Sequence, residues 1–233
     1  MGLQEELDAY LDEHWEEVCA DFASLVSIES VRDAKTAGPG APYGAGPRAA
    51  LDSVLEMAAG YGFDVQDCDG HIGIVDLPGT SSAQVGIIGH VDVVAAGTGW
   101  LTTPYNLARK DGYLIARGIL DDKGPLLLAL HAMRFWKERS QAEGRKLPCT
   151  IRLLVGTCEE TTMEDVEYYL AHCDEPAFLF SPDGQFPVVY GEGGIAHGKL
   201  KSSPIHEGAI VEIHGGQATN AVPGEATALV RAQ

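Results

Sequence analysis

Apolar positions set the first expectations. Leu3, Leu7, Tyr10, Leu11, Trp15, Val18, Phe22 and Leu25 recur at helical spacing with acids between them, which predicts an amphipathic helix from about Leu3 to Val26. "AGPGAPYGAGP" then reads as a loop, and "RAALDSVLEMAAGYG" as a second helix that Gly60 and Gly62 can close. Five apolar runs bounded by turns follow: "HIGIVDLPG", "VGIIGHVDVV", "GYLIARGIL", "TIRLLVGTCEE" and "AFLFSPDG". Each is strand-like, and helical stretches at Leu126 to Arg139 and Met163 to Cys173 fall between them. Strands that are apolar nearly throughout and alternate with helices predict an α/β fold with a mixed, largely parallel sheet covered by helices. From about Gly191 the texture changes to Gly-punctuated strands. This predicts a first domain over 1–190 and the start of a second, α+β unit over 191–233.

In such sheets ligands bind at the carboxyl ends of the strands. "IIGHVDVV" places His90 and Asp92 there, "ARGILDD" Asp121 and Asp122, "LLVGTCEE" Glu159 and Glu160, and "FLFSPDG" Asp183. Each has a plain structural alternative. Asp122 before Lys-Gly-Pro is a good helix cap, with Pro125 suited to the first turn. His90 could be a core histidine, the Glu pair a solvated helix start, and Asp183 a turn residue. Together, however, one imidazole and several carboxylates converge on one sheet edge, where the like-charged carboxylates would be strongly destabilising unless protonated or neutralised by cations. A His with carboxylates from separate strands suits Zn²⁺, Mn²⁺ or Co²⁺, and a carboxylate shared by two ions is the usual core of a two-metal hydrolase.

Composition narrows the partners. A formal charge of −18 opposes binding to phosphate backbones and anionic lipid, so nucleic acid and membrane surfaces are not expected partners. No run of about 18 apolar residues and no signal-peptide layout is present, which leads to a cytoplasmic expectation. The cysteines at 19, 68, 149, 158 and 173 are odd in number and lack any C-x-x-C pair, as reduced, mostly core thiols would be.

"GHVDVV", Trp100, Pro104, "DGYLIARGILDDKGP", "EE" and "SPDGQFPVVYGEGG" resemble, in order and spacing, the co-catalytic metallopeptidase family. That family includes aminoacylases, acetylornithine deacetylase, succinyl-diaminopimelate desuccinylase, glutamate carboxypeptidases and carnosinase-like dipeptidases. "SPDGQFPVVYGEGG" and "GGQATNAVPGEATALV" most resemble the bacterial PepV-type dipeptidases, and an aspartate at 183 suits the peptidase branch.

The resemblance implies roles. His90 and Asp183 would ligate one metal, Asp121 would bridge, and Glu160 would belong to the second metal. Asp92 would accept the other imidazole N–H, as carboxylates behind metal-bound histidines do. Glu159 would be the general base, moving a proton from a metal-bridged water to the leaving amine. Asp122 would support the turn, whose preceding peptide bond is often cis in the family. Asn220, in an N-x-V-P motif, would contact substrate. His197, His206 and His214 match no motif. The implied activity is metal-dependent hydrolysis of a small peptide substrate, a dipeptide, with two divalent ions, zinc foremost. A deacylase of N-acyl amino acids with the same site, or a non-catalytic metal-binding homologue, are the alternatives. Family chains run beyond this length and supply a last metal-ligating His after the lid, so the sequence reads as a fragment.

Overall fold

The computed structural model describes residues 2–185, 187–191, 193–194, 196, 198–201, 203, 208–216 and 222–231. It divides into two units, 1–184 and 185–233. In the first, α1 (Leu3–Val26) and α2 (Ala45–Gly60) lead into β1 (Asp64–Cys68), β2 (Ile72–Leu77) and β3 (Gln84–His90). A small hairpin, β4 (Ala108–Lys110) and β5 (Tyr113–Ile115), precedes α3 (Lys123–Ala142), β6 (Thr150–Gly156), α4 (Glu164–His172) and β7 (Phe178–Phe180). The second unit contains β8 (Ile210–Gly215) and β9 (Ala226–Val230), paired antiparallel.

The central sheet has the order β1-β2-β6-β3-β7. β3 pairs parallel with both β6 and β7, whereas β2 is antiparallel to β6 and to β1. The sheet is therefore mixed, with only β2 running against the rest. Period-2 alternation sorts its side chains. Val75, Leu77, Leu153 and Val155 join Phe22 and Leu25 of α1, Leu51 and Val54 of α2, and Leu126, Leu127 and Leu130 of α3 in the main core. Ile72, Ile74 and Leu154 face the other way, against Tyr169 of α4. Helices thus cover both faces, as parallel strands require.

One buried cation ties the layers together. Lys123, at the start of α3, donates to the carbonyls of Leu25 (3.1 Å) in the last turn of α1 and Ile28 (2.7 Å) just beyond it, adding a charged donor where the helix ends. Burial pushes its ammonium down to about 7. Gly124 beside it is obligatory, because a Cβ there would overlap the Ile119 carbonyl.

Two expectations need correction. "GYLIARGIL" is not a strand of the central sheet: only Tyr113–Ile115 is extended, and it pairs with β4 alone. Asp121 and Asp122 consequently stand at the entry to α3 and not at a strand end. The apolar residues that made the run look like sheet, Ala116 and Ile119, are turned inward by a tight turn through Gly118, whose φ is 82°. Second, β3 stops at His90 and β6 at Gly156, so Asp92, Glu159 and Glu160 lie in the turns beyond the strands.

Candidate metal centre

β3 and β6 run side by side with His90 opposite Gly156, so the segments leaving both strands emerge at the same edge. α3 begins beneath that edge, and the segment after β7 closes its side. The topology therefore gathers His90, Asp121, the Glu159–Glu160 turn and Asp183 within one unit.

His90 lies at the centre and is 2% exposed. Its two ring nitrogens face different surroundings. Nδ1 is 3.0 Å from the Asp92 carbonyl oxygen and 3.3 Å from Asp92 Oδ1, which directs the ring proton inward. Nε2 points outward, 3.1 Å from Asp121 Oδ1, 3.4 Å from Asp183 Oδ2 and 3.6 Å from Glu159 Oε2. The side chains of Asp121, Glu159 and Asp183 are 59%, 41% and 29% exposed.

Donor atoms of His90, Asp121 and Asp183 lie within 4.8 Å of one another. A tetrahedral zinc with bonds of about 2.0–2.1 Å has ligand atoms about 3.3–3.4 Å apart. The distances from Nε2 to Asp121 and Asp183 are close to that edge, so the donor set fits a divalent ion in both chemistry and spacing.

The charge balance fits as well. Burial alone would push His90 down, but hydrogen bonding to Asp121 and Asp92 and the charges of Asp92 and Asp122 prevail and raise it to about 12. In return, the His90 hydrogen bond lowers Asp121. Glu160 is raised to about 7, first by burial and then by the charge of Asp121. Glu159 is raised by burial, with His90 opposing and Asp183 reinforcing. One imidazole is shared by several acids, an arrangement that a metal ion would relieve.

Behind these residues lies a second set of acids that contact backbone. Asp122 occupies the N-cap position of α3 but makes no side-chain cap. Its Oδ2 instead accepts the His90 N–H at 3.0 Å, fitting into space left by Gly89, where a Cβ would overlap it. The capping reading of Asp122 is thus replaced by a brace on His90. Burial raises its carboxyl to about 7. Asp92 accepts the N–H groups of Glu159 (3.2 Å) and Glu160 (3.1 Å). Asp165 accepts those of Thr157 (2.7 Å) and Cys158 (3.0 Å). Arg32 closes the turn from outside, donating to Thr161 and Thr162, each at 3.0 Å, and to Glu164 at 3.3 Å. Sequence reasoning missed Asp165 and Arg32, since an acid in a first helical turn and an Arg in a loop are unremarkable. The Asp121–Asp122 peptide bond is cis.

Asn220, His197 and His206 lie outside the described residues. His214 is exposed on β8 and pairs with Glu212 at 2.7 Å.

The sequence pattern of peptidase family M20/M25/M40 matches residues 86–233, which include His90, Asp92, Asp121, Asp122, Glu159, Glu160, Asp165 and Asp183 but not Arg32. The chain belongs to the M20 peptidase family. Among curated M20 relatives, "Putative dipeptidase YtjP" of Bacillus subtilis (strain 168) is 33% identical over 220 residues, covering 92% of this chain and 46% of the relative. "Putative dipeptidase SH1171" of Staphylococcus haemolyticus is 35% identical over 233 residues, covering 94% and 47%. The chain thus spans about half the length of the curated relatives it matches. Human carnosine dipeptidase 1 superposes with a TM-score of 0.54 at 26% identity, covering 69% of this chain and 36% of that one. The mixed α/β fold is therefore that of M20 peptidases. Among the described residues no helix is long and apolar enough to cross a membrane.

Proposed function

We propose that this chain carries the metal site and general base of a dipeptidase, which hydrolyses the amide bond of a dipeptide with the help of two divalent ions, zinc foremost. The observation that carries the reading is the convergence of Asp121, Asp183 and Glu159 on Nε2 of a single buried histidine. The dipeptidase names of the relatives point to the same substrate class. Within that class we favour the PepV-type, carnosinase-like branch.

His90, Asp121 and Asp183 would hold one ion, and Asp121 with Glu160 the other. Such ions, when bound, lower the pKa of water and polarise the scissile carbonyl. The chain's own residues do the rest. Asp92 holds the Nδ1 proton of His90, leaving Nε2 free to act as a ligand. Glu159 keeps its carboxylate at the open side of the site, and burial raises its pKa, the direction a general base needs. It takes a proton from the attacking water and passes it to the amine nitrogen as the C–N bond breaks. No side-chain nucleophile is required. Cys158 is buried beside Arg32, Thr161 and Thr162, as a packing thiol would be.

Asn220 is assigned to substrate contact, residues 191–233 to the start of a lid, and the enzyme, with its five free thiols, to the cytoplasm. The test is a hydrolysis panel of dipeptides against N-acetyl and N-succinyl amino acids, each with and without a chelator. Chelator-sensitive cleavage of dipeptides is the expected result. Preference for N-acyl amino acids would make the enzyme a deacylase, and no metal-dependent cleavage of either class would contradict the reading.

A further inference from the structure

Asp165 is 1% exposed, belongs to the first turn of α4, and touches none of the acids around His90 Nε2. It nonetheless reaches back to the end of β6. There Oδ2 accepts the N–H groups of Thr157 at 2.7 Å and Cys158 at 3.0 Å, while Oδ1 accepts from Val166 at 2.9 Å. The next two N–H groups along the chain, those of Glu159 and Glu160, are held by Asp92. Two buried carboxylates from different elements thus take four consecutive backbone donors, so the turn carrying the Glu pair has no slack in its main chain.

The space for this is built in. A Cβ on Gly156 would lie 2.9 Å from Asp165 Oδ2 and 3.2 Å from the Gly89 carbonyl. The neighbouring strand has the same arrangement: Gly89 makes room for Asp122, which takes the His90 N–H. Both central parallel strands therefore have a glycine as their last or next-to-last residue, followed by a backbone N–H bound to a buried carboxylate. A charged acceptor for a buried N–H is among the stronger hydrogen bonds available to a protein. Ordinary capping of α4 would not send the carboxylate to Thr157 and Cys158.

We propose that Asp165 is a positioning residue for the reaction, fixing the Glu159–Glu160 turn so that the base and the second-ion ligand face the same site as His90. The inference rests on the proposed roles of Glu159 and Glu160. In the intact, metal-loaded protein, Asp165→Ala should lower kcat on a dipeptide at least about tenfold with KM changed less than about threefold. Titration of the chelator-stripped protein with Zn²⁺ should show the weaker of the two ions loosened by a similar factor and the tighter one unchanged. Asp165→Asn, whose amide oxygen can accept both N–H groups, should recover most of both losses. A merely structural role would lower thermal stability and leave kcat of the folded fraction and both zinc affinities as in the wild type, and that result overturns the proposal.

If Asp165→Ala does not fold, Asp165→Ser, which keeps one acceptor oxygen, carries the test by the same readouts. The zinc titration separates the two readings. An inactive wild type whose weaker zinc site is loosened by the substitution would refute the dipeptidase reading and keep the clamp. An active wild type matched by Asp165→Ala would do the reverse.

Discussion

Two groups of acids meet at one sheet edge and have opposite characters. Asp92, Asp122 and Asp165 are almost wholly buried and accept backbone N–H groups from the ends of β3 and β6. Asp121, Glu159 and Asp183 are partly exposed and point at Nε2 of His90. The residue type is nearly the same, and the surroundings decide the task. A carboxylate that receives backbone donors is bound to the scaffold, whereas one left open to solvent beside an imidazole is available to a cation or a proton. His90 joins the groups, with Nδ1 toward the floor and Nε2 toward the rim. The charge at this edge is thus divided between acids that hold the frame and acids that face the imidazole.

Substitutions in the two groups should fail in different ways. The largest effect is expected at the rim: Asp121→Ala removes the ligand common to both proposed ions, so activity should fall to background with loss of bound metal while the circular dichroism spectrum is kept. An active, metal-loaded variant would move the site elsewhere. On the floor, Asp92→Asn leaves every ligand in place but weakens the hold on His90 and on the Glu pair. A loss of about 10–100-fold in zinc affinity or activity is expected, and an unchanged zinc titration would break the distinction between the groups.

Smaller still is Gly89→Ala, where the new Cβ would displace Asp122 from the His90 N–H. A stability loss of ~1–3 kcal/mol in denaturant unfolding is the expected cost of overpacking there, and wild-type stability would show the floor to be soft. The finest test concerns protons. Because the carboxylates around His90 raise its pKa, a metal that takes Nε2 is expected to displace a proton from it. Zinc affinity should therefore fall as pH drops, and calorimetric heats should differ between buffers of different ionisation enthalpy. Equal heats in the two buffers would contradict this.

Much of the scaffold and of the rim was legible in the sequence, and the floor was not. α1 could be read from apolar spacing alone because its buried residues, Val18, Phe22 and Leu25, recur every three or four positions. β2, β3 and β6 stood out as apolar runs, but β1, "DVQDC", did not, since an edge strand with four of its five residues exposed carries no apolar signature. "GYLIARGIL" misled in the opposite sense, its apolar residues being buried by a turn instead of a sheet. His90, Asp121, Glu159, Glu160 and Asp183 could be collected because a histidine and acids at the ends of apolar runs are conspicuous. Asp122 looked like a cap, and Asp165 like a first-turn acid. Their actual partners are the N–H groups of residues 32 and 7–8 positions away, and only the packing of α3 and α4 against the strand ends brings them together.

The central claim is that Glu159 moves the proton without holding the metal. Metal content after dialysis, measured on Glu159→Ala beside the wild type and paired with dipeptide hydrolysis of the same samples, tests it most directly. The expected result is the same number of ions per chain in both proteins, with kcat in the variant lower by about 10²–10⁴-fold. Loss of the bound ions together with activity would make Glu159 a ligand and contradict the account.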